Sequence, residues 1–411
     1  MDAGAATAAA PRPPAWLMIG TGMLVTVVVL VFARLAYGFI VPPMREDLGL
    51  SYQQAGTLGT VTALGYLCLV MVAGVTAGRV GGRNTVLLGV LLVTVGFAGL
   101  SVASDYRVLL ALMALLGFGT AFGYTPLVSL LSSWFPERRG VVIGLLNGGV
   151  GAGMLISGVL IPYAPEVFGD AGWRVTWAAF AVGGAAVLLA VLAFVHNPPQ
   201  SGVQGQGHRP DRAAVFRNRH VLLVGLVYGV LGTTYIVQVV FMYSFALESG
   251  ISGVVAGRLA AIMGALGMVS SLVWGWLSDR VGRGAALMLS MVLYFVGMTV
   301  PVALPTLSGF AAHYLVLGIA VSGVFTTILA ASTEHVAARD APLAVSFVTV
   351  FMAAGQLAGP VMAGGLIDWT GDFRLTFALC ATLVAVGVAL SWRVRSYPRP
   401  RPTGSIQIHP S

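Results

Sequence analysis

The sequence predicts an all-α membrane protein whose twelve transmembrane helices form two pseudo-symmetric six-helix bundles. The first observation is composition: hydrophobic residues make up 57% and charged residues 9% of the 411-residue chain, whereas about a quarter of a soluble domain is charged. The second is the recurrence of apolar runs of about 20 residues, each long enough to cross a bilayer. The third is a basic turn that occurs twice, at Gly74–Arg83 and Gly275–Arg283, 201 residues apart (275 − 74 = 201).

Twelve apolar runs account for most of the chain. They are continuous rather than alternating in hydrophobicity, which favours membrane helices over the strands of a β-barrel. The 54 glycines suit helices that pack closely in lipid, because small residues let backbones approach each other. The crossings are predicted near residues 16–43, 52–78, 84–103, 108–134, 140–163, 174–195, 221–247, 254–278, 285–304, 308–333, 342–367 and 375–392.

The placement of arginine predicts the orientation of these crossings. All 22 basic residues are arginine, and nearly all occupy short turns between the apolar runs or the termini; one set of turns, with both termini, carries 16, the alternate set carries five, and Arg34 belongs to neither. Because cytoplasmic loops are enriched in basic residues, both termini are predicted to be cytoplasmic in a multi-pass protein of the cytoplasmic (inner) membrane. A net charge of +8 spread over turns in this way does not indicate a nucleic-acid surface.

A polar segment divides the chain into two halves. Residues 197–220 are rich in Pro, Gly and Gln, which is typical of a flexible linker. Gly172–Arg174 and Asp372–Arg374 are similar segments 200 residues apart (374 − 174 = 200), close to the offset of the basic turns, and this agreement predicts a duplication. The predicted division is a disordered cytoplasmic N-terminus (1–15), an N-terminal bundle (16–196), the cytoplasmic linker (197–220), a C-terminal bundle (221–394) and a cytoplasmic tail (395–411).

These features resemble the major facilitator superfamily. The turn Gly275–Arg283 matches the pattern G-x-x-x-D-R-x-G-R that follows helix eight in that superfamily. The segments Trp134–Gly140 and Gly172–Arg174 resemble its bacterial organic-anion branches, which include oxalate/formate and monocarboxylate carriers. The resemblance covers residues 16–395 and implies the major facilitator fold and transport by alternating access, in which two bundles rock about a central cavity. The chain departs from the pattern at Gly78, where the superfamily has an aspartate.

The resemblance also implies a gate at the duplicated turns. In this superfamily these turns latch one bundle to the other on the cytoplasmic side, through arginines that meet carboxylates or helix C-termini. The alternative is that these arginines only follow the positive-inside rule. The gating residues implied in this chain are Arg79, Arg83, Asp279, Arg280 and Arg283.

Arg34 is the leading candidate for contact with a substrate. It lies inside the first apolar run, in VVVLVFARLAYGFIVPP, where a charged side chain costs about 2.5–3.5 kcal/mol on insertion scales. Tyr37, three residues further, shares its face of an α-helix. One interpretation is an anion clamp, because guanidinium holds a carboxylate in a two-pronged geometry. The other is a structural arginine that bonds backbone carbonyls or extends to the membrane surface.

The duplication adds further candidates. The 201-residue offset pairs Arg34 with Tyr235, which is expected to face it from helix seven; Gln238 lies on the same helix face as Tyr235. Each candidate has the alternative of a satisfied polar group between helices. The remaining predicted wall residues are Tyr124, Asn147 and Tyr228, and the further polar residues considered are Gln356 and Thr326.

The sequence gives no indication of enzyme chemistry. No nucleophile–base pair, phosphate-binding loop or metal-ligand spacing is present, and Cys68 and Cys380 are isolated in apolar segments; no cofactor and no metal are predicted. Every acidic residue falls at a segment end or in a loop, and no histidine is predicted deep in a crossing, which argues against a buried proton relay. Glu334 and His335 are adjacent at the end of helix ten and are interpreted as a solvated turn.

The leading hypothesis is therefore a secondary or exchange transporter for a small organic anion, a carboxylate above all. The alternative is an efflux carrier for amphipathic drugs or metabolites, in which Arg34 is structural. A membrane receptor that does not transport is a third possibility, but no soluble signalling domain supports it. The expected partners are a small anionic substrate and membrane lipid, without nucleic acid, and the protein is expected to be a monomer.

Overall fold

The computed structural model describes residues 14–198, 215–337 and 340–397, and within them the chain is helical without strands. The first helix, α1, has three consecutive parts: Ala15–Thr26, a π-helical segment Val27–Leu35, and Tyr37–Leu48. The other helices are α2 (Tyr52–Val80), α3 (Gly82–Val102), α4 (Tyr106–Trp134), α5 (Arg139–Leu160), α6 (Gly172–Phe194), α7 (Arg219–Glu248), α8 (Gly253–Val281), α9 (Arg283–Ala303), α10 (Leu307–Ser332), α11 (Ala341–Thr370) and α12 (Phe373–Arg395).

The predicted twelve crossings are confirmed. Eleven helical stretches in the described residues are long and apolar enough to cross a membrane, but one of them, Pro136–Phe194, has 59 residues. A straight helix of that length would measure roughly 88 Å, about three times the hydrocarbon core of a bilayer. The stretch is interrupted by short turns between Ile161 and Ala171, so it forms two crossings, α5 and α6.

Helix ends are set by local capping residues. Ser51 and Gln54 form a capping box at the start of α2, and Asp105 and Asn218 accept hydrogen bonds from the first backbone amides of α4 and α7. Such side chains satisfy donors that have no partner within the helix. The polar residues between apolar runs therefore fix where each crossing begins.

The duplication is visible in the backbone. Val80 ends α2 and Val281 ends α8, 201 residues apart (281 − 80 = 201). The glycines that follow them have nearly the same conformation, with φ of 88° at Gly81 and 91° at Gly282. Residues that carry a Cβ atom rarely adopt this positive φ, so glycine is required in both turns. The two six-helix bundles are thus copies of one architecture.

The two halves meet at one end of the molecule. We call the end that carries Ala15 and Arg395 the terminal end, and the end that carries the α1–α2 turn the opposite end. Near the opposite end α2 packs on α11 and α5 packs on α8. A Cβ atom on Gly56 would lie 2.2 Å from the carbonyl oxygen of Pro360, and one on Gly158 would lie 2.5 Å from that of Gly257. Glycine is what permits these backbones to touch.

The same helices diverge toward the terminal end. Gly74 and Gly78 on α2, Gly144 on α5 and Gly275 on α8 have no neighbouring atom within 4 Å of the position a Cβ would take. The halves are therefore joined at the opposite end and open toward the terminal end.

Parts of the predicted domain division lie outside the described residues. This applies to most of the N-terminal segment (1–15), the linker (197–220) and the tail (395–411). The predicted helix bounds differ from the observed ones by a few residues, with the largest difference in α1. That helix continues to Leu48, past Pro42 and Pro43, and does not end near residue 43.

Candidate functional site

Arg34 lies in a part of α1 that is not a regular α-helix. Residues Val27–Leu35 form a π-helical segment, which the backbone amide of Ala36 closes by donating to the carbonyl of Val31 at 2.8 Å, five residues back. Such segments are rare and recur at functional sites. Because they hold more residues per turn than an α-helix, they change the direction in which the side chains point.

The guanidinium of Arg34 bridges the two halves. Its Nη2 donates to Oε1 of Gln356 on α11 at 3.0 Å. Its Cζ lies 5.1 Å from the centroid of the Tyr66 ring on α2, and the phenol of Tyr235 on α7 is close enough to interact with its charge. Among the described residues the one ion pair is Arg174 with Asp47, so Arg34 is a cation without a carboxylate partner.

Further polar side chains extend this site. The hydroxyl of Tyr124 donates to Oδ1 of Asn147 at 3.0 Å. On the side of the second half, the Phe325 ring meets the rings of Tyr235 and Tyr228 edge-on, with centroids 5.4 and 6.1 Å away. An arginine, two side-chain amides and several phenols thus lie together between the bundles.

Apart from Tyr228, which is 5% exposed, these side chains face an open space and not a packed helix interface. Arg34, Tyr66, Tyr235 and Gln356 are partly exposed and Asn147 is exposed, although all lie well inside membrane-spanning helices. Since residues of both halves participate, the exposure is toward the space that opens between the halves. Such a surface combines one fixed positive charge with hydroxyl and amide groups that hydrogen-bond an anion.

Two predicted residues are not brought into this group. Tyr37 is 1% exposed and its hydroxyl donates to the carbonyl of Ala55 on α2 at 3.0 Å. The prediction assumed α-helical spacing from Arg34, and the π-helical turn that ends at Leu35 breaks that spacing. Gln238 is 3% exposed, and its Oε1 has no hydrogen-bond partner among the described residues.

Tyr66 and Phe325 also belong to the site but are not among the residues predicted from the sequence. Tyr66 has a detectable signal, since it is a phenol near the middle of a predicted crossing. Phe325 has none, because one phenylalanine in an apolar helix is most often a packing residue.

The predicted gating arginines make contacts within their own halves. Arg83 Nη2 donates to the carbonyl of Leu192 at 2.7 Å, and Arg283 Nη1 donates to that of Ala330 at 2.9 Å. The guanidinium of Arg280 lies 4.1 Å from the Trp276 ring centroid. Arg79 and Asp279, also named as gating residues, are exposed at the ends of α2 and α8. The latch stays a prediction, because this structure is open at the end where these residues lie.

One histidine is buried near the start of a crossing, in the second turn of its helix. His313 on α10 is fully buried, and its Nδ1 is 2.7 Å from the carbonyl oxygen of Gly297 on α9. This bond ties two helices of the second half together and leaves His313 apart from the Arg34 group.

The geometry of this chain agrees with a known transporter family. The family model described as "Uncharacterised MFS-type transporter YbfB" matches residues 26–392. The chain belongs to this family of major facilitator transporters. A transporter of this family moves a small molecule across a membrane and is not an enzyme.

Curated relatives and solved structures agree with this assignment. Human "Monocarboxylate transporter 11" is 26% identical over 93% of this chain and 84% of that protein. "Uncharacterized transporter YycB" of Bacillus subtilis is 24% identical over 91% of this chain and 92% of its own length. A bacterial homologue of the human lysosomal transporter Spinster, solved in an inward-facing and unoccupied conformation, superposes with a TM-score of 0.76 at 16% identity, over 94% of this chain and 98% of that chain. The structural likeness shows the major facilitator fold.

Proposed function

We propose that this major facilitator transporter carries small organic anions, and carboxylates in particular, by alternating access, with Arg34 as the anion clamp. The observation that carries the proposal is an arginine at mid-helix that bridges both halves through Gln356 and has no ion-pair partner among the described residues. A substrate carboxylate supplies the missing negative charge.

The bond from Arg34 to Gln356 suggests how binding couples to movement. An amide oxygen is a neutral acceptor, whereas a carboxylate accepts two parallel N–H bonds from a guanidinium and forms the stronger contact. A bound anion therefore competes with Gln356 for Arg34. Because this bond joins α1 to α11, replacing it removes a direct link between the halves and adds one through the substrate.

The direction of opening follows from the arginine distribution. If the arginine-rich terminal end is cytoplasmic, as the positive-inside rule predicts, the halves open inward in this structure. The protein then resides in the cytoplasmic membrane as a multi-pass monomer surrounded by lipid. The name of the monocarboxylate transporter relatives supports a carboxylate as cargo.

A second candidate is export of amphipathic compounds. The observation in its favour is the aromatic wall of Tyr228, Tyr235 and Phe325 on the second half. Such a wall binds flat apolar molecules as readily as it lines an anion site. In that case Arg34 has a structural role only.

Transport by purified protein in liposomes separates these functions. Uptake of labelled monocarboxylates and dicarboxylates is measured for the wild type, Arg34→Ala and Arg34→Lys. Truncating one partner of a desolvated charge pair costs about 2–5 kcal/mol, so Arg34→Ala is expected to lose at least about 30-fold in uptake at subsaturating substrate. Arg34→Lys retains the positive charge but loses the two-pronged geometry of the guanidinium, so it should keep part of the transport activity.

Arg107→Ala is the matched control, because Arg107 is an exposed arginine at the start of α4 and its loss should leave uptake unchanged. Full anion uptake by Arg34→Ala would refute the clamp. Export of lipophilic compounds at an undiminished rate in Arg34→Ala, without anion uptake in the wild type, would establish the second candidate.

A further inference from the structure

A cluster of metal-ligand side chains lies apart from the Arg34 site, at the terminal end of the second half. His220 is in the first turn of α7, and Glu334 and His335 follow the end of α10. The ligand atoms of the three residues all lie within 4.8 Å of one another. His220 precedes Glu334 by 114 residues in sequence (334 − 220 = 114), so no local motif joins it to the adjacent Glu334 and His335.

We propose that His220, Glu334 and His335 bind a divalent transition-metal ion of the zinc class. Two imidazoles and one carboxylate form a known three-ligand set for Zn²⁺, with water in the fourth position. Imidazole ligands favour Zn²⁺, Ni²⁺ or Cu²⁺ over Mg²⁺ and Ca²⁺, which prefer oxygen. The ion is a resident of the second half and not cargo, because the cluster lies away from the space between the halves.

The burial of the His220 ring without hydrogen-bond partners is an independent observation that points to a ligand. Its side chain is fully buried, and neither ring nitrogen has a hydrogen-bond partner among the described residues. Buried polar atoms are rarely left unsatisfied, and each such case calls for an explanation, such as an ion. The His220 and His335 rings lie against each other, with centroids 3.9 Å apart, and they must separate by about 1 Å for one tetrahedral ion to bind a nitrogen of each.

The surroundings position these ligands. The side chain of Asn218 caps α7 by accepting from the backbone amide of His220 at 2.9 Å, and its Nδ2 donates to the carbonyl of His335 at 3.0 Å. One residue therefore holds the backbone of both histidines. A cavity of about 320 Å³, lined by Glu334, His335, Arg395 and Tyr397 among others, gives the ion and its water a way in.

Closing the site requires a small rearrangement. Ligand atoms around a tetrahedral zinc ion are about 3.3 Å apart, given a zinc–nitrogen distance of about 2.0–2.1 Å. Glu334 and His335 lie in a turn after α10 and not in a helix, so their side chains can move the remaining distance without disturbing a crossing.

The first half provides a matched control. At the 201-residue offset, Trp134 stands in the place of His335 and His196 in the place of Tyr397. There Trp134 Nε1 donates to the carbonyl of His196 at 2.7 Å, and no comparable ligand set is found in the described part of that half. Among the described residues, this set of ligands therefore occurs in the second half alone.

Metal binding by the full chain tests the proposal. Detergent-solubilised protein, purified with a tag that contains no histidine, is titrated with ZnCl₂ by calorimetry, and bound metal is counted by mass spectrometry. One zinc ion per chain is expected, with no binding of MgCl₂ under the same conditions. His335→Ala and Glu334→Gln, which lie outside the buried core, should each weaken zinc binding at least tenfold. Arg395→Gln should tighten it severalfold, since it removes a positive charge from the cavity wall.

The controls separate this site from incidental binding. His196→Ala should bind zinc like the wild type, and so should the double variant His208→Ala/His409→Ala, whose histidines lie outside the described residues. Unchanged zinc affinity in His335→Ala, or loss of binding in His208→Ala/His409→Ala instead, would overturn the assignment. So would the absence of zinc binding in the wild type.

Discussion

The opposite end and the terminal end of the molecule place their charged side chains differently. At the opposite end the carboxylate of Asp368, in the second half, accepts hydrogen bonds from the backbone amides of Tyr52 and Gln53, in the first half, at 2.8 and 2.7 Å. At the terminal end Arg83 and Arg283 bond carbonyl groups of their own halves. Charge joins the halves at one end and stabilises each half separately at the other.

This difference between the two ends is not apparent from the duplicated sequence pattern. The basic turns recur at an offset of 201 residues and fold alike, but at the 200-residue offset of the neighbouring Gly172–Arg174 segment Asp368 has Phe168 at the corresponding place in the first half. The carboxylate caps the first turn of α2, where free backbone amides and the helix dipole attract an anion. One unduplicated acid therefore stabilises closure of the opposite end.

Opening of the opposite end can be followed with spin labels. Labels on cysteines at Glu46 and Trp369, both exposed and in different halves, report the distance across the opposite end. Arg138 and Val281 serve in the same way at the terminal end. The native Cys68 and Cys380 are replaced in all variants.

The largest effect is expected from Gly56→Ala. The new methyl group would lie 2.2 Å from the carbonyl oxygen of Pro360, and a backbone atom cannot rotate away. Overpacking of this kind costs up to about 3 kcal/mol, so the opposite end should open, with a longer distance between the labels at Glu46 and Trp369. Gly74→Ala, on the open part of the same helix, should leave both distances unchanged. A wild-type distance in Gly56→Ala would show that α2 and α11 do not control closure.

The next effect is expected from Asp368→Ala. This variant leaves two amides of α2 without their acceptor, and losing a helix cap across the interface costs about 2 kcal/mol. The fraction of molecules that are open at the opposite end, measured from the distribution of label distances, should rise by a factor of about 30. Asp372→Ala is the control, because Asp372 caps only its own helix, α12. Equal effects of the two variants would mean that Asp368 acts through local stability and not through closure.

Much of this comparison was accessible from the sequence. The twelve crossings and their offset follow from hydropathy and from the repeated arginine turns, because each crossing must satisfy its own backbone in lipid. The π-helical segment around Arg34 was not accessible, since it depends on a hydrogen bond to Val31 and not to residue 32. Most residues of the site around Arg34 were predicted, but the contact of Arg34 with Tyr66 was not, because the two residues lie on different helices. Nor does a duplicated pattern indicate which end is joined.

A smaller effect is expected from Tyr52→Phe. The Tyr52 hydroxyl donates to Oε1 of Glu248 across the halves at 3.3 Å, in an exposed position. Removing it costs about 1 kcal/mol at most, so the opened population should rise no more than about fivefold. Tyr106→Phe loses a hydroxyl that bonds within its own half, and it should not change the label distances. If both variants change the label distances equally, the effect does not come from the hydrogen bond between Tyr52 and Glu248.

The smallest effect is expected from Gly78→Asp at the terminal end. This change restores the acid that its counterpart Asp279 supplies in the second half (279 − 78 = 201), and Gly78 has open space for a side chain. When the terminal end closes, the new carboxylate approaches basic turns and helix termini, an interaction worth about 0.3–1 kcal/mol. The distance between labels at Arg138 and Val281 should therefore shift toward the closed value, in a population that grows about two- to fivefold. Gly78→Asn has the same size without the charge and should not shift it. If both variants behave alike, the charge at this position plays no part in the latch, and the first copy of the turn records ancestry only.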